Sequence, residues 1–133
     1  MKTGILLFAH GARDPRWADP FREVEREVRQ LAPQAAVALA FLEFMPPTLR
    51  EAGARLVEDG CTSVAVVPLF LGAGGHVRKD VPELLGQLRA AHPQVAWSLC
   101  RAVGEHPEVV RALAHAAVER TWGGAGPANS KMT

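Results

Sequence analysis

Four apolar runs separated by stretches of helical periodicity constrain this chain more than any other feature. ILLFA at 5–9, AAVALAFL at 35–42, SVAVVPLFL at 63–71 and VAWSL at 95–99 are continuously apolar, the pattern of strands buried on both faces. Apolar residues then recur at helical spacing four times. Phe21, Val24, Val28 and Leu31 form the first stripe, and Leu49, Ala52, Leu56 and Val57 follow the Pro46–Pro47 start. Val81, Leu84, Leu85 and Leu88 form the third, opened by Asp80 and Glu83 in capping-box spacing, and Val109, Val110, Leu113, Ala117 and Val118 follow Pro107. Strand followed by helix, four times over, predicts right-handed βα units: a single-domain, three-layer α/β/α fold with a four-stranded parallel sheet, over residues 1–122. The last segment, GGAGPANSKMT, has almost no apolar content and predicts a flexible tail over 123–133.

Composition narrows the function classes. At 133 residues the chain is one domain's worth, and 15 Lys plus Arg against 14 Asp plus Glu leave a formal charge of +1. No global field draws it to nucleic acid or to a membrane surface, so any recognition by charge must be local. Cys61 and Cys100 make neither a disulfide scaffold nor a zinc pair, which fits a reducing compartment. Ile5 to Ala9 is too short for a signal-peptide core, and no apolar run approaches a membrane span. The expectation is a soluble, cytoplasmic domain.

The residues with chemistry follow the strands. In open α/β sheets ligands bind beyond the carboxyl ends of the strands, where the strand order reverses. His10 follows the first strand, Glu43 the second, and the loop GAGGHVRKD with His76 the third; Arg101 and His106 follow the fourth. With strands one and three adjacent, His10 and His76 face one crevice, where two neutral imidazoles suit a divalent transition metal. Glu43 is then a third oxygen ligand, a proton acceptor, or simply the partner of an arginine. Gly72, Gly74 and Gly75 free the third loop to approach something closely. Arg13, Arg16, Arg78 and Lys79 lie just past the two histidine loops, as a basic rim for a polyanionic ligand. His92, His106 and His115 are read as structural, Cys61 as buried, and Cys100 as lying near the strand ends.

Rival motifs fail on particular residues. GAGGHV has Val77 where a dinucleotide loop needs its third glycine, and it follows the third strand instead of opening the fold. No G-x-S-x-G elbow surrounds Ser63, Ser98 or Ser130, which argues against a serine hydrolase. A phosphohistidine phosphatase requires arginine directly before its histidine, and Ala9 stands there, leaving that activity a distant alternative.

HGARDPR, FLE followed by PPTLREA, VPLFLGAGGHVRKDVP and VGEHPEVV resemble, in order, the landmarks of the small class II tetrapyrrole chelatases. These are the CbiX-type sirohydrochlorin cobaltochelatases and their iron and nickel relatives. The resemblance covers nearly all of the chain except the tail, with Ala12 where serine is common and Val103 where leucine is common. It implies a chelatase-like sheet with flavodoxin-like winding. It also implies that His10 and His76 are the metal-binding histidines and that Glu43 is the acidic residue of the site. The implied activity is insertion of a divalent ion, Co²⁺ first and Ni²⁺ or Fe²⁺ as alternatives, into sirohydrochlorin with no nucleotide. Arg13, Arg78 and Lys79 would meet the peripheral carboxylates, and Gly74 and Gly75 would lie against the macrocycle. Larger family members resemble two such domains fused, so a homodimer is expected here. A non-catalytic metal or tetrapyrrole carrier on the same fold is the alternative.

Overall fold

In the computed structural model, which describes residues 1–72 and 74–122, the four expected strands form one parallel sheet. They are β1 (Lys2–Ala9), β2 (Ala36–Phe41), β3 (Cys61–Pro68) and β4 (Ala96–Leu99), in the spatial order β2-β1-β3-β4. The helices are α1 (Asp19–Leu31), α2 (Leu49–Glu58), α3 (Gly75–Ala91) and α4 (Pro107–Trp122), with short 3₁₀ turns at Pro15–Ala18 and Val103–Glu105. The tail expected over 123–133 lies outside the described residues.

The winding follows from where each connection goes. From β1 the chain steps sideways to β2, then crosses back over β1 to reach β3 and continues to β4. With every crossover right-handed, that reversal puts α1 on one face and α2 and α3 on the other. The strands supply both faces by alternation. Leu6 and Phe8 of β1, Val64 and Val66 of β3 and Trp97 of β4 pack with Leu56, Val81, Leu85 and Leu88 in the larger core. Leu7 and Ala9 point the other way, and join Val37, Leu39 and Phe41 beneath the half-buried Phe21 and Val28 of α1.

Helix starts differ from expectation in two places. Pro46 and Pro47 precede α2 rather than opening it, and the cap is Thr48, whose hydroxyl accepts from the Glu51 N–H at 3.1 Å while the Glu51 carboxylate accepts from the Thr48 N–H at 2.8 Å. The third helix begins at Gly75, not near Asp80, because Gly74 is extended there and its carbonyl already accepts the Arg78 N–H at 3.0 Å. Asp80 and Glu83 therefore lie within α3 and form no terminal capping box. Pro82 is accommodated inside the helix at the loss of one backbone donor. α4 forms where its periodicity places it, but its apolar stripe is uncovered: every described residue from Val110 to Trp122 is exposed.

The same device recurs at both sheet edges. Arg29, at the end of α1, donates to the Val37 carbonyl of edge strand β2 at 2.9 Å, and Arg89, at the end of α3, donates to the Trp97 carbonyl of edge strand β4 at 3.2 Å. The sequences RQLAPQAAV and RAAHPQVAW share the arginine and the Pro-Gln pair, the arginine eight and the proline four residues ahead of the strand residue whose carbonyl is bonded. A guanidinium on an edge carbonyl blunts strand addition.

The core predicts its own sensitivities. Leu56 is 0% exposed, and Leu56→Ala should cost about 2–5 kcal/mol through lost burial and a residual cavity. Val24, 39% exposed on α1, should tolerate Val24→Ala within about 0.5 kcal/mol. Urea denaturation of both variants checks the pair.

Candidate functional site

Strand order reverses between β1 and β3, and the crevice at their carboxyl ends is where such a sheet holds ligands. His10 stands at that point, directly after β1. It is half-buried, and its ring lies against Phe70 with centroids 4.3 Å apart and planes 35° from each other. Phe70, 3% exposed, is itself held against Phe8 of the core at 5.9 Å. Stacking fixes the imidazole through its face and leaves its nitrogens at the ring edge. Among the described residues, none forms a hydrogen bond with either nitrogen.

The loop after β2 is tied to the same point. The Leu42 N–H donates to the Ala9 carbonyl at 2.8 Å and the Glu43 N–H to the His10 carbonyl at 3.0 Å, extending the β1–β2 ladder past the strand ends. Gly11 makes this approach possible: its φ is +88°, and a Cβ there would stand 2.0 Å from the Glu43 carbonyl oxygen. His10 and Glu43 are thus neighbours through their backbones, with the Glu43 side chain exposed. Phe44 follows at φ +72°, half its ring in solvent, and the Arg13 guanidinium rests 4.6 Å from the ring centroid.

Of the four basic residues of the expected rim, Arg16 is engaged elsewhere. Its side chain pairs with Asp14 at 2.8 Å, and the Asp14 carboxylate also accepts the Arg16 N–H at 2.9 Å, capping the Pro15–Ala18 turn. The Arg16 side chain, then its backbone N–H, holds the Asp14 carboxyl below its ordinary range, and the Arg16 guanidinium is held above its own by Asp14. Arg13, Arg78 and Lys79 are exposed.

His76 is the second residue of α3, two positions after the N-cap Gly74. Gly75 opens the helix. Arg78 and Lys79 belong to the same first turns, and Arg78 lines a groove of about 430 Å³ with Phe70, Val81, Cys100 and Arg101. The segment after β4 closes down on the Phe70 loop, with the Gly104 N–H donating to the Phe70 carbonyl at 2.9 Å. A Cβ on Gly104 would lie 1.9 Å from the Leu71 carbonyl oxygen, so the glycine of GEHP is a close-packing residue.

The remaining histidines have structural surroundings. His106 Nδ1 accepts the Glu108 N–H at 3.1 Å at the start of α4, the His92 carbonyl accepts from Trp97 Nε1 at 3.2 Å, and His115 is exposed on α4. Cys61 is buried, which pushes its thiol up, and Cys100 is exposed.

Phe70 and Phe44 are residues that sequence reasoning passed over. Phe70 sits inside the run read as a strand to residue 71, whereas β3 stops at Pro68. The signal available was that proline, which can end a ladder and start a loop. Nothing in the order EFM marks Phe44 for a left-handed backbone.

A four-stranded parallel sheet whose strand order reverses beside a histidine stacked on Phe70, with the Glu43 loop bonded next to it, defines a doubly wound α/β domain. The chain belongs to the CbiX family, whose model matches residues 4–120. It is 39% identical over 83 residues to the sirohydrochlorin cobaltochelatase of Saccharolobus solfataricus, covering 62% of this chain and 63% of that protein. With the sirohydrochlorin cobaltochelatase of Methanopyrus kandleri it shares 32% identity over 84 residues, 63% of this chain and 59% of the other. The chain thus spans less than two thirds of the curated relatives it matches. Among solved structures, a CbiX protein of Marinobacter aquaeolei VT8 assigned to cobalamin (vitamin B12) biosynthesis superposes with a TM-score of 0.76 at 33% identity, over 90% of this chain and 99% of that one. The sirohydrochlorin chelatase SirB of Bacillus subtilis subspecies spizizenii, in complex with cobalt, gives 0.74 at 31% identity over 90% of this chain and 51% of its own.

The contact at Gly11 sets a test. Gly11→Ala introduces both a strained φ and a collision with backbone, and should cost at least about 2 kcal/mol. Chemical denaturation should show that loss, whereas Ala12→Ser next to it should leave stability within about 0.5 kcal/mol.

Proposed function

We propose that this chain inserts a divalent metal ion, Co²⁺ first and Ni²⁺ or Fe²⁺ as alternatives, into sirohydrochlorin without a nucleotide. The observation that carries this reading is His10: an imidazole held by Phe70 at the switch point, with no described hydrogen-bond partner and an acidic loop beside it. The names of the relatives and the cobalt held by SirB support it.

The reaction exchanges one divalent ion for two pyrrole protons. The ion must shed water stepwise while gaining ring nitrogens, which calls for few and exchangeable protein ligands. His10, directly after β1, and His76, in the first turn of the helix that follows β3, are assigned that role. The displaced protons need a base near neutral pH, supplied by Glu43 or by whichever imidazole is not on the ion. Arg13, braced on Phe44, takes a peripheral carboxylate from one side of the crevice, and Arg78 and Lys79 from the other. Gly74 and Gly75 let the flat macrocycle approach the start of α3, and the exposed Phe44 and Leu71 offer it apolar surface.

A second copy completes the crevice in this proposal. This chain aligns with about half of SirB, 51% of its length, so the other wall comes from a homodimer partner. The exposed Cys100 thiol suits a reducing cytoplasm.

Anaerobic incubation with sirohydrochlorin and each ion, followed by its absorption spectrum, tests the reading. His10→Ala and His76→Ala should each lower the insertion rate roughly a hundredfold, and the double variant should be little worse, because two ligands on one ion act as a unit. His106→Ala should retain most activity. Arg13→Ala should raise KM for the tetrapyrrole about tenfold, more at high salt, and leave metal affinity unchanged. Wild-type protein that binds both partners without joining them would instead establish a carrier.

A further inference from the structure

The groove of about 430 Å³ that Arg78 lines adjoins the His10 crevice, between the first turns of α3 and the end of β4. Phe70 is the wall the two share: the His10 ring stacks on it with centroids 4.3 Å apart, and the same side chain lines the groove. Val77 and Val81, both buried, and the more exposed Leu99 make the interior apolar. Three charged side chains reach it, Arg78, Arg101 and Glu105. An apolar interior with guanidinium groups at its border fits an apolar body that carries a carboxylate.

Arg101 is fixed from both sides. The Cys100 N–H donates to the Val66 carbonyl at 2.9 Å, one step past the paired strands, Ala102 is buried, and the Gly104 N–H donates to the Phe70 carbonyl at 2.9 Å. The backbone of Arg101 is thereby held while its side chain is exposed and, among the described residues, forms no ion pair. The Glu105 N–H donates to the Ala102 carbonyl at 3.0 Å, and that turn brings the Glu105 side chain to the same groove. Arg78 comes from α3 and Arg101 from the segment after β4, so the two guanidinium groups belong to different walls. With Glu105 they leave the groove a single positive charge, which one carboxylate neutralises.

We propose that this groove takes one pyrrole edge of the tetrapyrrole, with a carboxylate arm held between Arg78 and Arg101. Arg101 is then a substrate-binding residue, and Glu105 limits the groove to a single carboxylate. This rests on the sirohydrochlorin reading above and assigns one edge of the ring to one wall of the site. The sheet permits it, because β3 alone separates β1 from β4, and two strand spacings carry the chain only about 10 Å sideways. A macrocycle whose central nitrogens face an ion at His10 extends its pyrrole rings and their arms outward, past the end of β3 toward β4. Arg13 lies on the other side, beside the loop after β2, so the ring is gripped at two edges and cannot turn about the metal. A planar guanidinium suits this task, since its fork matches both oxygens of a carboxylate.

Anaerobic titration of the full chain with metal-free sirohydrochlorin, followed by quenching of tryptophan fluorescence, tests the groove apart from the chemistry. Arg101→Ala should raise Kd about tenfold, and Arg101→Lys by less, since lysine keeps the charge but loses the two-pronged contact. Glu105→Gln should act in the opposite direction, lowering Kd about threefold by removing a like charge beside the bound carboxylate. Arg22→Ala, the same change of charge on α1, should leave Kd within about twofold. Co²⁺ affinity should be equal in all of them, and in insertion assays Arg101→Ala should raise KM with kcat unchanged. The Glu105→Gln result decides alone should Arg101→Ala lose the folded circular dichroism spectrum. An unchanged Kd in Arg101→Ala, weaker binding in Glu105→Gln, or an equal loss in Arg22→Ala would overturn the proposal. The two readings fail separately. A chain that binds sirohydrochlorin through Arg101 but does not insert Co²⁺ removes only the chelatase reading, one that inserts Co²⁺ and is indifferent to Arg101 removes only the groove, and one that binds no sirohydrochlorin removes both.

Discussion

One backbone hydrogen bond organises the site: the Glu43 N–H donating to the His10 carbonyl at 3.0 Å, one step beyond the paired strands. It exists because Gly11 has no Cβ where the Glu43 carbonyl passes and because its φ of +88° turns the chain away after the histidine. A histidine that ends a buried strand is thereby placed at the crevice, its ring against Phe70 and its backbone carbonyl bonded by the Glu43 loop. Rigidity of the support and freedom of the ring nitrogens are what a transient metal ligand requires.

The same economy runs through the fold. The reversal of strand order opens the crevice between β1 and β3, and the loops after β2 and β4 are each drawn in by hydrogen bonds to the two central strands' extensions. Arg29 and Arg89 each donate to one carbonyl of an edge strand, so both edges carry a guanidinium that blunts strand addition. The carboxyl rim takes the small-molecule partners in the proposed function. α4 carries an apolar stripe, Val110, Leu113 and Val118 among its residues, that the described part of the chain leaves exposed.

Much of this was legible in the chain. Continuous apolar runs separated by helical stripes led to a parallel three-layer sheet, because burial on both faces removes the alternation that an exposed sheet would show. The identities of His10, Glu43 and His76 came from their positions after strands, and the family match over residues 4–120 agrees with the resemblance carried by four ordered motifs. What stayed hidden depends on local backbone geometry and on packing at a distance. Apolarity alone ran the third strand to residue 71, hiding Phe70, although Pro68 ends the ladder. Capping spacing at Asp80 and Glu83 suggested a helix start that Gly74 pre-empts. Periodicity marked the α4 stripe as apolar, but it carries no information on whether the chain's own sheet covers that stripe, and here the stripe is exposed.

The central claim is that His10 presents free imidazole nitrogens to an incoming metal ion. Proton NMR of the protein titrated anaerobically with Co²⁺ tests it most directly, since an imidazole bound to paramagnetic cobalt shifts its exchangeable ring proton far outside the ordinary spectral range. The account predicts two such resonances, one lost in His10→Ala and the other in His76→Ala, with both retained in His106→Ala. Shifted resonances that survive His10→Ala and disappear with His106→Ala would contradict it, and would place the metal at the fourth strand.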